Sequence, residues 1–410
     1  MQAAETARKP AISVTEAERL VLANALPAPV ERRLLREAHG CVLREPIRAD
    51  RDFPPFDRVT MDGIALSFAE YEQGRRSFRI AGVQAAGAPP QSLLDRESCY
   101  EVMTGAVLPR GCDLVVPVEE IRREGNKLTI GAETKPARDQ YIHHKGSDHA
   151  LGELLIDPGT LLGSPELAVC ATVGASRVPV SVPLRVAVMT TGDELVEVDR
   201  RPEAHQIRAS NGYAIEAAIT RSGRASCELF HARDDRGELT RLIRELLEQY
   251  DILIMSGGVS AGKFDLVPPV LEECGVEILF HRVAQRPGFP LLFGRGSIGR
   301  AVFGLPGNPV SSLVSTHRYV LPYVERCLGI TPGEREAAVL EEDYRFEPKL
   351  TLFLPVHLQA EGSGRVLARP MPVNSSGDLA GLLHSGGFLE LPPDDSIFAA
   401  GTVRPLYRWQ

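Results

Sequence analysis

Residues 251–265 read DILIMSGGVSAGKFD, and this stretch decides how the chain is parsed. Four apolar residues end at Met255, and the chain then leaves through Ser256, Gly257, Gly258, Ser260 and Gly262 before reaching Lys263 and Asp265. A plain turn needs one glycine or two. Glycines that turn backbone N–H groups inward, followed by the positive end of a helix, instead form a cradle for phosphate or another oxyanion.

Working outward, the flanks repeat one pattern. A strand LRVAVM (184–189) leads into TTGDE, then a helix opening at Ser210-Asn211 and closing at Gly223. A strand ASCELFHA (225–232) reaches Asp234-Asp235, an N-cap for the helix 236–250. After 251–265 a helix turns Leu266, Val267, Val270 and Leu271 inward, and VEILFHRV, PLLFG and AVFGL run toward PGNP and a long helix over 308–328. Apolar strands alternating with helices predict a parallel sheet covered on both faces. Ligands of such sheets bind outside the carboxyl ends of the strands. Three loops of unusual composition are expected there: Thr190-Thr191-Gly192-Asp193-Glu194, the 256–262 loop, and Leu305-Pro306-Gly307-Asn308-Pro309. Asp193, Glu194 and Asp265 flank the same edge and are candidate oxygen ligands for Mg²⁺. Asp234 reads equally as a ligand or as a turn former.

The remainder is different in kind. Residues 13–26 form an amphipathic helix with Ala17, Leu20, Val21 and Ala25 on one face. Short apolar runs broken by Gly, Pro and Asp make 52–145 a β-rich module, and LTLFLPVHL, GRVLARP and GGFLELP make 331–410 a C-terminal β domain. The expected organisation is an α/β and β multidomain protein: 13–51 with 146–183 as N-terminal helix and linking subdomain, 52–145, 184–330 as the α/β domain, and 331–410.

At 410 residues, the chain exceeds one core, and 43% hydrophobic with 24% charged residues is ordinary globular composition. A net charge of −8 argues against a nucleic-acid surface, and no apolar run reaches membrane-spanning length. The start MQAAETARKP has no apolar signal core, so the cytoplasm is the expected compartment. Seven scattered cysteines without a CxxC pair read as buried free thiols. PPFDRVTMDGIAL (54–66), with Asp57 and Asp62, and EVMTGA (101–106), with Thr104, do not look like plain scaffolding. YIHHKGSDH (141–149) reads as a polar or anion-binding loop in preference to a zinc site, because adjacent histidines point apart.

Taken in order, PPFDRVTMDGIA, MTGAVLPRGCDLVVPVEE, KGSD, TTGDEL, SGGVSAGKFD, RPGFP, GLPGNPVSS and NSSGDLAGLLHSGGFLELP resemble the molybdopterin molybdenumtransferase family, which includes MoeA and the gephyrin E domain. The likeness spans nearly the whole chain. It implies subdomains of which one has the fold of the molybdopterin adenylyltransferases, and a homodimer with its active site at the subunit interface. It also implies insertion of molybdate into adenylylated molybdopterin with release of AMP, assisted by Mg²⁺, with an adenylyltransferase as a partner. By matching positions it assigns catalysis to Asp62, Thr104, Asp148, Glu194, Asp234 and Asp265, the metal to Glu194 and Asp265, and substrate binding to Pro306 and Pro309. Oxyanion contacts fall to Thr191, Gly192, Ser256, Gly257, Gly258, Ser260, Arg282, Arg286, Gly307, Asn308 and Ser311. The chain departs from the family pattern at Arg58-Val59, His143-His144, Ala209, Lys263 and Phe289, the last standing where relatives carry lysine. Lys263 is expected to restore the charge lost there. A divergent pterin-binding scaffold and a nucleotide hydrolase are the alternative readings.

Overall fold

The computed structural model describes residues 10–221, 223–259, 266–371 and 375–410. Its two compact units are Pro46–Asp157 with Ser164–Ser176, and the chain up to Glu45 with Pro158–Gly163 and Arg177–Gln410.

The smaller unit is built on a six-stranded sheet. Its strands are β1 (Gly63–Leu66), β2 (Ser77–Gln84), β3 (Ser98–Val102), β4 (Leu114–Pro117), β5 (Ile121–Glu124) and β6 (Lys127–Ile130), in the spatial order β4-β1-β3-β2-β6-β5. Side chains alternate with period two. Ile64, Leu66, Cys99, Leu114, Val116 and Leu128 fill one face, while Ala65, Tyr100, Val102 and Val115 fill the other. Apart from the sheet, Ile47–Arg48 pairs with Leu154–Ile156, and PELAVCAT forms the helix Ser164–Thr172 with Cys170 buried.

The larger unit opens with α1 (Val14–Ala23), capped by the Ser13 hydroxyl on the Glu16 amide, with Val14, Ala17 and Val21 buried. Its α/β part holds β7 (Leu184–Thr191), α2 (Asn211–Thr220), β8 (Ala225–Ala232), α3 (Arg236–Gln249), β9 (Ile252–Ser256), α4 (Val267–Glu273), β10 (Glu277–Phe280), β11 (Leu292–Arg295) and β12 (Ala301–Leu305). The sheet order is β8-β7-β9-β12-β11-β10. The first four strands are parallel, as their apolar character implied. One strand differs: β11 runs antiparallel to both β12 and β10. The connection 296–300 is too short for a crossover, which takes roughly a dozen residues or more, so a hairpin is the only way back. Both faces are covered. Val186, Val188, Ile252 and Ile254 enter one core and Ala187, Met189, Leu253 and Met255 the other. Asp235 caps α3 by accepting from the Glu238 amide.

The helical run expected over 308–328 is α5 (Pro309–Ser315), a π-turn at Thr316–Val320 and α6 (Leu321–Leu328). Leu321 N–H reaches back to the Thr316 carbonyl, and Pro322 has no N–H to give. The wider turn accommodates a ring that would otherwise crowd the preceding carbonyl. Arg318, inside this turn, is 1% exposed. Its Nε donates to Glu390 at 2.8 Å and its Nη2 to Glu18 at 2.9 Å. Burial pushes the Glu18 carboxyl up, but the hydrogen bond and charge of Arg318, with Arg335, outweigh it and leave it below the usual carboxylate range.

The C-terminal strands are β13 (Ala337–Leu340), β14 (Thr351–Ala360), β15 (Val366–Pro370), β16 (Gly387–Leu391) and β17 (Val403–Arg408). They pair β14-β15-β13-β17-β16, and β16 pairs again with β14, closing a small barrel. Leu340, Leu354, Val356, Ala368, Leu389 and Leu406 fill it, while Phe353 and Phe388 point outward into the main core. All seven cysteines are free thiols. No helix among the described residues is long and apolar enough to cross a membrane.

Candidate functional site

Register sets the site. Thr190 lies opposite Ser256, Ser256 opposite Leu305, and Thr191 opposite Ala232, so β7, β9, β12 and β8 end flush. The loops that follow enclose a cavity of about 620 Å³, within the range of small-molecule sites. Eleven of the residues singled out in the sequence share its wall: Thr191, Gly192, Glu194, Asp234, Ser256, Gly257, Gly258, Pro306, Gly307, Asn308 and Pro309.

The glycines are needed for both shape and space. Gly257 has φ +103°, and a Cβ there would sit 2.5 Å from the Thr191 carbonyl oxygen. Gly258 has φ +63°, and its Cβ would meet Val267 at 2.8 Å and Thr191 Oγ1 at 3.0 Å. Any other residue would strain the turn and push it off β7. Thr191 Oγ1 is buried beside them with no hydrogen-bond partner among the described residues. On the acidic side, the Asp234 backbone N–H donates to Asp193 Oδ1 at 3.4 Å.

Hydrogen bonds join the loops. Asn211, at the start of α2, donates from Nδ2 to Ser256 Oγ at 2.9 Å and to the Gly307 carbonyl at 2.9 Å. Asn308 Nδ2 donates to Ser376 Oγ at 2.9 Å, and the Val310 amide donates to the Ser376 carbonyl at 3.0 Å. Gly377 then joins the wall, so Ser376 and Gly377 of the C-terminal part help to build the cavity. Sequence reading missed Asn211, Ser376, Gly377 and Pro290 as wall or support residues. The one local signal was polar and glycine residues in segments already conspicuous for their order.

Three predicted residues lie elsewhere in this unit. Ser311 is buried at 2% exposure and does not line the cavity. Arg282 and Arg286 do not line it either, and Arg286 lies beside Leu352 where Gln285–Arg286 pairs with β14. Phe289 is 39% exposed, and its neighbour Pro290 reaches the wall. Ser260, Lys263 and Asp265 fall outside the described residues.

Asp62, Thr104 and Asp148 belong to the smaller unit. Thr104 donates to Asp62 Oδ1 twice, from its amide at 2.7 Å and its hydroxyl at 2.8 Å. Those two bonds, the amide first, hold the Asp62 carboxyl below the usual carboxylate range. Asp148 takes the Nε2 side of His143 at 2.8 Å, while Arg58 Nη2 lies 3.1 Å from His143 Nδ1. Arg58 can only donate, which makes Nδ1 the acceptor and Nε2 the donor. His144 lies 3.4 Å from Asp57, and His149 2.8 Å from Glu153. The histidines are thus distributed among separate carboxylates. Among the described residues no group of three His, Cys, Asp or Glu side chains is placed to hold a metal ion alone.

Residues 12–174 match the family model of the MoeA N-terminal region, domains I and II; 187–326 match the "probable molybdopterin binding domain"; 337–408 match the MoeA C-terminal region, domain IV. A molybdopterin molybdenumtransferase of Synechocystis is 41% identical over 373 residues, 91% of this chain and 93% of that protein. One from Staphylococcus epidermidis is 30% identical over 400 residues, 96% and 94% of the two chains. The crystal structure of a molybdopterin biosynthesis MoeA protein from Pyrococcus horikoshii superposes with a TM-score of 0.83 at 29% identity, covering 98% of this chain and 100% of that one. With an α/β edge, a β-rich unit and a closed barrel all matched in sequence and in fold, this chain belongs to the molybdopterin molybdenumtransferase, or MoeA, family.

Proposed function

We propose that the chain completes molybdenum cofactor biosynthesis by inserting molybdate into adenylylated molybdopterin, with release of AMP. The observation that carries this reading is the flush edge of β7, β9 and β12, whose three glycine-bearing loops wall one cavity inside the segment matched to a molybdopterin-binding domain. Its wall carries two kinds of group. Ser256, Gly257 and Gly258, with Thr191 behind them, offer hydroxyl and backbone donors to the oxygens of phosphate or molybdate. Glu194 and Asp234 add carboxylates to the same wall. Arg282, Arg286 and Ser311, being off the wall, receive no substrate contact in this reading.

Mg²⁺ fits this donor set. The ion is commonly held by one or two carboxylates while substrate phosphates and water complete the shell. Glu194 would hold it together with Asp265, and when bound it would offset the charge of the phosphoanhydride that is broken. The chain is proposed to act in the cytoplasm as a homodimer, with Asp62 and Thr104 of one subunit completing the site of the other. Its substrate would come from a molybdopterin adenylyltransferase. Thr104 keeps the Asp62 carboxylate ionised and oriented for that task.

The test follows AMP release from adenylylated molybdopterin with and without molybdate. Molybdate-dependent release is expected. Release that ignores molybdate would make the protein a nucleotide hydrolase, and binding without release would make it a scaffold. Chelation with EDTA should reduce turnover at least tenfold, with Mg²⁺ restoring it; turnover that survives chelation would remove the metal from the mechanism.

A further inference from the structure

Asn211 sits half-buried on the cavity wall where α2 begins. The Gly307 carbonyl can only accept, so it fixes which end of the Asn211 amide is nitrogen. The amide has two hydrogens, and with one directed to Gly307 the other meets Ser256 Oγ. Ser256 Oγ is therefore an acceptor in this contact, and its own proton has to point elsewhere. Among the described residues its other neighbours are the Pro306 carbonyl at 3.5 Å and Ser312 Oγ at 3.4 Å, both at the outer limit of hydrogen-bond range. Ser256 lines the cavity at 2% exposure, so an oxyanion oxygen placed there is a closer and stronger acceptor than either.

We propose that Asn211 is a positioning residue that presents the Ser256 hydroxyl as a donor to a tetrahedral oxyanion, while tying the Ser256–Gly258 turn to the Pro306–Pro309 loop. The inference deepens the functional reading above and rests on it. The ligand chemistry is an oxyanion that can come from two sources, the phosphate of a nucleotide or molybdate itself. An aspartate in the same place would have nearly the same shape but could only accept when ionised. It would draw the Ser256 proton back toward α2, face the Gly307 carbonyl with a like partial charge, and repel the anion.

The experiment measures binding of AMP and of molybdate separately by equilibrium dialysis, in wild type, Asn211→Ala, Asn211→Asp, Ser256→Ala and the Asn211→Ala/Ser256→Ala double variant. Thermal melting is recorded on the same samples. Each single variant is expected to weaken one of the two ligands about tenfold. The ligand affected identifies whether phosphate or molybdate takes the Ser256 proton. The double variant should bind about as weakly as the poorer single, since one change removes the donor and the other only what orients it. Asn211→Asp binding both ligands as wild type does would overturn the proposal. So would Asn211→Ala lowering only the melting temperature, or losses that multiply in full in the double variant. Wild type that binds either ligand but releases no AMP from the adenylylated pterin would count against the transferase reading alone.

Discussion

Gly257 carries much of the local geometry. With φ +103° and the Thr191 carbonyl 2.5 Å from where a Cβ would lie, Gly257→Ala has to move the turn away from β7. The expected cost is about 1–3 kcal/mol of stability together with loss of substrate binding, read by denaturant melts and AMP-release kinetics. A variant with wild-type KM would show that the turn is not part of the binding wall. His317 makes a different prediction. It is 8% exposed and packed edge-on to Trp409, with ring centroids 5.1 Å apart. Burial first, and then the nearby Arg221 charge, press its pKa down to about 4. The unfolded chain takes up that proton near pH 6.5 and the folded chain only near pH 4, so unfolding gains protons between those values. The stability it contributes is complete above pH 6.5 and is lost as pH falls toward 4, on the order of 3 kcal/mol in all. His317→Gln should flatten that part of the stability–pH curve; an unchanged slope would place the acid sensitivity elsewhere. Glycines and carboxylates of the site were legible in sequence because they cluster after strands. Asn211 was not, because its meaning depends on residues 211, 256 and 307 meeting in space.

Elements show the same division. Continuous apolar runs announced β7, β9 and β12, and the Asp235 cap announced α3, because these depend on neighbours in sequence. The antiparallel pair β11–β12 was signalled only by the short 296–300 connection. The π-turn was signalled only by Pro322 inside an otherwise continuous helical pattern. The barrel had no local signal for closure, since the β14–β16 pairing joins residues far apart in the chain. Within the π-turn, Arg318 joins α1 through Glu18 and β16 through Glu390. Arg318→Leu would leave the partly buried Glu390 without an ion-pair partner among the described residues and Glu18 with Arg335 alone. The expected loss is about 2–4 kcal/mol in urea or thermal unfolding. Replacing Arg318, Glu18 and Glu390 together by apolar residues should recover much of it. A single variant as stable as wild type would mean that the network specifies packing without contributing to stability.

At the level of the molecule, the homodimer proposal has a direct test. Chains carrying Asp62→Ala and chains carrying Asp265→Ala are each expected to be inactive by at least a hundredfold. If each site draws on both subunits, mixing the two should restore about half of the wild-type activity per heterodimer, or about a quarter in a statistical mixture, because one of the two sites in each heterodimer is then intact. Verified heterodimers without activity would sink the shared-site arrangement. The eight ordered motifs made the family legible from sequence because they recur in order from residue 54 to residue 392. Nothing in one chain's sequence states how its copies assemble, since a self-complementary surface leaves no periodic trace.

The contact between Ser376 and the Asn308 loop has a consequence for how the protein is made. The strands under the cavity are translated long before residue 376, yet the wall that includes Gly377 is complete only when the barrel segment has emerged and docked. A nascent chain stalled after α6 would expose an unfinished cleft without Gly377. Synthesis order thus acts as a built-in delay: the site assembles only after nearly the whole polypeptide has left the ribosome.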